Sequence, residues 1–189
     1  MDLNKLQQQL AGETTDAESG PPVDKWDPEF CGDMNMQIQL DGRWFYEGTP
    51  IGRRALVKLF ASVLKKEGDN YYLVTPVEKL GISVADVPFV ITNWRYEGDV
   101  LVLTTQTDED VHLTQPSQIA LRQPPVALAD ENATAIPYIK IRRNLWGRLH
   151  HNVYYQLIEQ ATQISEAGET ALVIGSNGHD FVIGRLPSS

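Results

Sequence analysis

The chain has 189 residues with 16 Lys and Arg against 25 Asp and Glu, a formal net charge of −9, so long nucleic acid and anionic lipid surfaces repel it and are excluded as partners. A hydrophobic content of 42% suffices for one sizeable core or two smaller ones. The single cysteine, Cys31, excludes an intramolecular disulfide framework and a multi-cysteine metal knot. No segment stays apolar long enough to span a bilayer, and the opening residues lack a basic stretch followed by an apolar run, so a cytoplasmic location is expected.

Leu3, Leu6 and Leu10 recur at helical spacing, but Gly12 to Pro22 is small, polar and acidic. Residues 1–24 are therefore expected to form a flexible tail, with the ordered body starting near Trp26. MQIQL (36–40) alternates as a half-buried strand, Asp41 and Gly42 turn, and Arg43 to Glu47 complete a hairpin. Thr49 as N-cap and Pro50 at the first helical position open a helix whose apolar face is Leu56, Leu59, Phe60, Val63 and Leu64, and which ends near Lys65 and Lys66. Strands follow at 71–75 and 82–84, a hairpin at 90–97 and 100–106, and short strands at 111–114 and 119–122. Residues 123–135, with two prolines, are expected to be a loop. Tyr138 to Arg142 alternates, Asn144 to Gly147 can turn, Val153, Leu157, Ile158 and Ala161 mark a helix, and strands at 170–175 and 181–186 flank a Ser176-Asn177-Gly178 turn.

The last third repeats the first in its order of strand, turn, short strand, helix, strand, turn, strand, which predicts an internal duplication. The fold expected is α+β: two β-rich subdomains, each a curved antiparallel sheet with one main helix, with boundaries at 25–87 and 88–189.

The run WFYEGTPIGRRALVKLFASVLKKEGDNYYLVTPVEKLGISVADVPFVI joins a Gly-x-Pro-Ile turn, an arginine-bearing helix start, a Leu-Val-Thr-Pro-Val-Glu segment and a Val-x-Asp-x-Pro-Phe ending. It resembles the core of a proteobacterial family, domain of unknown function 1285. IKIRRNLWGRLHHNVYYQL resembles that family's second stretch, so the likeness covers roughly residues 25 to 187. The resemblance implies two domains with a duplicated core, a C-terminal half resembling a pleckstrin-homology-like barrel, a nucleotide-like ligand at the domain interface, and a role in signalling. It implies no biochemical activity.

Arg53 and Arg54 stand at a helix start, where unpaired backbone N–H groups favour an anion and guanidinium forks add donors for phosphate; pairing with Glu47 or Glu78 is the alternative. Thr75, Glu78 and Lys79 follow a strand, where loop side chains can enter a cleft, or simply form a proline turn around Pro76. Asp86 with Pro88 and Phe89 reads as the junction between halves. In the second half Lys140, Arg142 and Asn144 lie where a basic strand ends, alternation sending Arg142 to the face of Lys140 and Arg143 to the other. His150 and His151 diverge on a helix by roughly 100° and do not share a metal ion; His150 suits anion contact or capping. Trp44, Trp94 and Trp146 are read as core or cross-strand residues before base-stacking ones.

No nucleophile elbow, phosphate loop or dinucleotide glycine pattern is present, and Asp108 to Asp110 does not match a calcium loop. No cofactor, metal or catalytic residue is therefore expected. The leading expectation is a binding module for a nucleotide-like or other phosphate-bearing small molecule, its site at the cleft between the halves and its basic residues supplied by both. The rivals are a protein-interaction module whose partner is a signalling protein, and a hydrolase acting through Glu78 or Asp86.

Overall fold

The computed structural model describes residues 2–11, 20–129 and 134–186. The chain forms two compact units, Met1–Ala85 and Asp86–Ser189. No helix among the described residues is long and apolar enough to cross a membrane.

The first unit opens with helix α1 (Leu3–Leu10), whose Leu6 and Leu10 are buried. The expectation of a flexible tail therefore fails for these residues: two leucines four apart give an otherwise glutamine-rich segment one face to bury. Residues 12–19 of the expected tail lie outside the described residues. Strands β1 (Phe30–Ile38), β2 (Trp44–Tyr46) and β3 (Thr49–Pro50) lead into α2 (Arg54–Ser62), then β4 (Leu64–Glu67), β5 (Asn70–Val74) and β6 (Lys79–Val84). They make one sheet in the order β3-β2-β1-β6-β5-β4, antiparallel except for the central β1–β6 pair, which is parallel. Met36 and Ile38 are buried on one face of β1, and Leu56 and Phe60 on one face of α2.

The start and the end of α2 both differ from the sequence expectation. Thr49 and Pro50 do not open the helix: they pair with Tyr46 and Phe45, Pro50 sitting on an edge strand that needs no N–H from it, and Arg53 is the N-cap. The helix stops at Ser62, and Lys65 and Lys66 lie in β4 opposite Tyr72 and Tyr71, the Lys66 ammonium 5.5 Å from the Tyr71 ring centre.

In the second unit β7 (Phe89–Glu97), β8 (Val100–Thr105), β9 (Asp110–His112), β10 (Ile119–Arg122), β11 (Ile136–Arg142) and β12 (Leu145–Leu149) form a second six-stranded sheet, order β10-β11-β12-β7-β8-β9. Its one parallel pair is again central, β12 beside β7. Gly147 permits that approach: a Cβ there would lie 3.1 Å from Phe89 Cβ and 3.2 Å from Phe89 O. Helix α3 (His151–Gln160) and a three-stranded antiparallel sheet of β13 (Thr162–Glu166), β14 (Glu169–Ser176) and β15 (His179–Leu186) complete the unit. One core joins them, with Ile91, Leu101, Ile139, Leu157, Ile174 and Phe181 all buried in it. Buried Ser176 ties the two sheets together, accepting from the Leu101 N–H at 2.8 Å and donating to the Leu113 carbonyl at 2.6 Å.

The α+β class with two β-rich halves holds, except that each six-stranded sheet is mixed rather than wholly antiparallel. The expected 123–135 loop contains a turn of 3₁₀ helix at Val126–Leu128, and its residues 130–133 lie outside the described residues. The order strand, strand, helix, three strands ends both units. In the first, β6 rejoins β1; in the second, β13 to β15 stand as their own sheet.

Candidate ligand cleft in the first unit

The β1–β6 pair is irregular. From Phe30 to Ile38 β1 advances eight residues while β6 advances five, from Lys79 to Val84, with register shifts between Phe30 and Asp33 and between Asp33 and Gln37. Surplus residues of this kind bend a strand and interrupt its ladder. The bulged stretch supplies Cys31, Asp33, Met34 and Asn35 to a cleft of about 340 Å³, completed by Tyr46 at the end of β2 and Glu47 after it, Glu78 just before β6 and Leu80 within it, and Lys5 of α1. Asp33 rests against Gly81, where an added Cβ would lie 2.0 Å from Asp33 Oδ1. Glycine at 81 is what lets that carboxylate occupy its place.

Glu78 is delivered by the turn after β5. The Glu78 and Val77 N–H groups donate to Thr75 Oγ1 at 3.0 and 3.3 Å, and the Thr75 N–H donates to the Glu78 carbonyl at 2.8 Å. The Thr75 hydroxyl donates in turn to Gln9 Oε1 of α1 at 3.0 Å, and Thr75 itself is wholly buried. Oε2 of the Glu78 carboxylate is buried with no hydrogen-bond partner among the described residues. Asp33, Glu47 and Glu78 face one cation, Lys5, across the cleft lining. The Tyr46 hydroxyl is pushed above the usual tyrosine range, first by burial and then by the charges of Glu47 and Asp2. Such a cleft receives hydrogen-bond donors or positive charge and repels a phosphate. Among the described residues, no group of three or more His, Cys, Asp or Glu side chains could hold a metal ion.

Of the nine residues singled out from the sequence, Glu78 alone lines this cleft. Arg53 and Arg54 are exposed at the start of α2. Thr75 shapes the Glu78 turn. The Lys79 ammonium is paired with Glu67 at 2.9 Å and lies 4.9 Å from the Tyr72 ring centre, which commits it to the sheet.

The other four lie in the second unit. Lys140 is exposed on β11 and Asn144 exposed in the turn after it. Arg142, expected to offer its charge to a ligand, is instead ion-paired with Glu109, its guanidinium 5.2 Å from the Phe89 ring centre. His150 is the N-cap of α3, its Nδ1 accepting from the Asn152 N–H at 3.2 Å. Burial, then the charges of His151 and Arg148, hold its pKa below the usual histidine value. Asp86 anchors the start of the second unit: its Oδ2 accepts from the Tyr138 hydroxyl at 2.8 Å and from Arg148 at 3.0 Å. Burial and then the Asp86 contact push the Tyr138 hydroxyl well up. Trp44 is core, Trp94 donates to Gln156 of α3 at 2.8 Å, and Trp146 carries the Arg122 guanidinium at 4.4 Å.

Sequence reasoning missed Lys5, Asp33, Asn35 and Tyr46. The available signal was the failure of strand alternation over residues 30–35, immediately before the regular MQIQL.

The sequence profile described as the N-terminal domain of a domain of unknown function (DUF1285) matches residues 21–87, and that of the C-terminal domain of the same family matches residues 88–183. The chain belongs to the DUF1285 family. A crystal structure of a DUF1285 protein from Silicibacter pomeroyi DSS-3 is similar to it at 35% identity and TM-score 0.76, over 94% of this chain and 95% of that one. A DUF1285 protein from Shewanella baltica OS155 is similar at 30% identity and TM-score 0.53, over 66% of this chain and 91% of its own. No curated protein matches the chain. DUF1285 is a family of unknown function, and its two matched segments meet between residues 87 and 88, shortly after the end of β6 at Val84.

Proposed function

We propose that this DUF1285 chain is a non-catalytic module that binds a small, nucleotide-like ligand in signal transduction, seated by its base in the cleft of the first unit. The supporting observation is Glu78 Oε2, a buried acceptor without a donor. Such an atom carries a desolvation cost that a ligand N–H removes. Nucleobase amino and imino groups are donors of that kind. The phosphate of such a ligand stays clear of Asp33 and Glu47; Arg53 and Arg54, exposed where α2 begins, are the candidates in the same unit to meet it.

Thermal-shift measurements with the four nucleosides and their monophosphates test this, because a ligand that binds only the folded chain raises its melting temperature. One base series is expected to raise it. Glu78→Gln removes the rise for nucleoside and nucleotide alike, whereas Arg53→Ala reduces it for the nucleotide alone. A flat response to the whole panel refutes the proposal.

A further inference from the structure

Helix α1 is eight residues long, too short to hold a helix unaided in water, so it is helical because it is docked. Its buried Leu6 and Leu10 make the attachment, and two of its polar residues reach the cleft machinery. Lys5 lines the cleft together with Glu78. Gln9, one turn further along the same face, accepts the Thr75 hydroxyl proton. That hydroxyl has one proton to give. Directed at Gln9, it leaves the oxygen lone pairs to the N–H groups of Val77 and Glu78. The helix lies outside the segment 21–87 matched by the family's N-terminal domain, so nothing in that match assigns it a role.

We propose that α1 is a detachable wall of the cleft, coupled to Glu78 through Gln9 and Thr75, so that undocking loosens the site and an occupant holds the helix down. Gln9 and Thr75 are positioning residues in this scheme. Its ligand half rests on the function proposed above; the coupling of helix and turn is a property of the chain alone. Linkage requires the two effects to be reciprocal: whatever factor docking adds to ligand affinity, the ligand adds to docking.

Amide hydrogen exchange on the full chain separates the two halves. Without ligand, Gln9→Ala is expected to speed exchange at Val77 and Glu78 by about tenfold, the scale of one lost hydrogen bond, while Leu73 in β5 is unchanged. Leu6→Ala, which weakens docking without touching Gln9, is expected to speed exchange in α1 and at Val77 and Glu78 together. If α1 exchanges faster in Leu6→Ala while Val77 and Glu78 keep their protection, the coupling is refuted whatever the chain binds. With the four nucleoside monophosphates as probes in turn, slower exchange in α1 with one of them supports both halves. Loosening of the turn by Gln9→Ala with no effect of any of the four on α1 upholds the coupling and counts against the proposed ligand class.

Discussion

Replacing Asp86 by Ala isolates the anchor of the second unit. The Asp86 side chain is 17% exposed and that of Arg148 7%, so the carboxylate and guanidinium meet largely out of water. Removing one partner of a buried pair leaves the other charge poorly compensated, at a cost of about 3–5 kcal/mol. The residual exposure of Asp86 favours the lower end, about 3 kcal/mol. For a unit of this size each kcal/mol lowers the melting temperature by about 4–8 °C, so a loss of roughly 12–24 °C is expected. Exchange of the Ile91 and Ile139 amides, deep in β7 and β11, reads the unfolding free energy of that unit residue by residue. Tyr138→Phe, which removes only the hydroxyl, is expected to cost about 1 kcal/mol. The double variant should cost less than the sum, because both interactions end on the same carboxylate oxygen. A loss below about 1 kcal/mol for Asp86→Ala, the value of an exposed pair, would refute the reasoning.

Gly81→Ala is expected to displace the Asp33 carboxylate without removing its charge, and to weaken any ligand read by the cleft while Gly147→Ala leaves binding intact and destabilises the second unit; calorimetry and a binding titration distinguish them. Leu6→Ala empties a fully buried site, but because α1 detaches before the unit unfolds it should cost well under the roughly 2–5 kcal/mol of a core leucine in urea denaturation, and a loss in that full range would refute a detachable helix. The His150 cap requires a neutral ring, and its folded pKa lies below the unfolded value. Its contribution is therefore complete above an unfolded pKa of about 6.5 and is lost as pH falls through the folded pKa. His150→Asn, which caps without titrating, should flatten the stability of the second unit across that window, and an unaltered pH profile would sink the assignment.

Hairpins were legible because their signals are local: Asp41 and Gly42 after an alternating strand, or Gly98 and Asp99 between two apolar runs, decide the turn within a few residues. Strand β4 was not, since Phe60, Val63 and Leu64 prolong a helical spacing, and only the tyrosines of β5 opposite the two lysines reveal that the chain has already entered the sheet. Strand β13, with Ile164 its single large apolar side chain, offers no alternation to detect. The parallel pairs and the β1 bulges depend on partners far along the chain, for which no short window carries a signal. The same limit applies to the site. Glu78 was singled out from its place after a strand, but Asp33 acquires its position from Gly81 on another strand, and Lys5 from two leucines that read as part of a tail.

A sheet is ordinarily most secure at its middle, where strands have neighbours on both sides. In the first unit the middle is where pairing falters: β3-β2-β1 and β6-β5-β4 are each regular ribbons, and the fault runs along the line where they meet. The β12–β7 join of the second unit keeps its register without a break. Substitutions on either side of the fault can reshape the hollow without unzipping either ribbon, so the shape of that hollow is set by a handful of side chains along a single line while the two ribbons carry the fold.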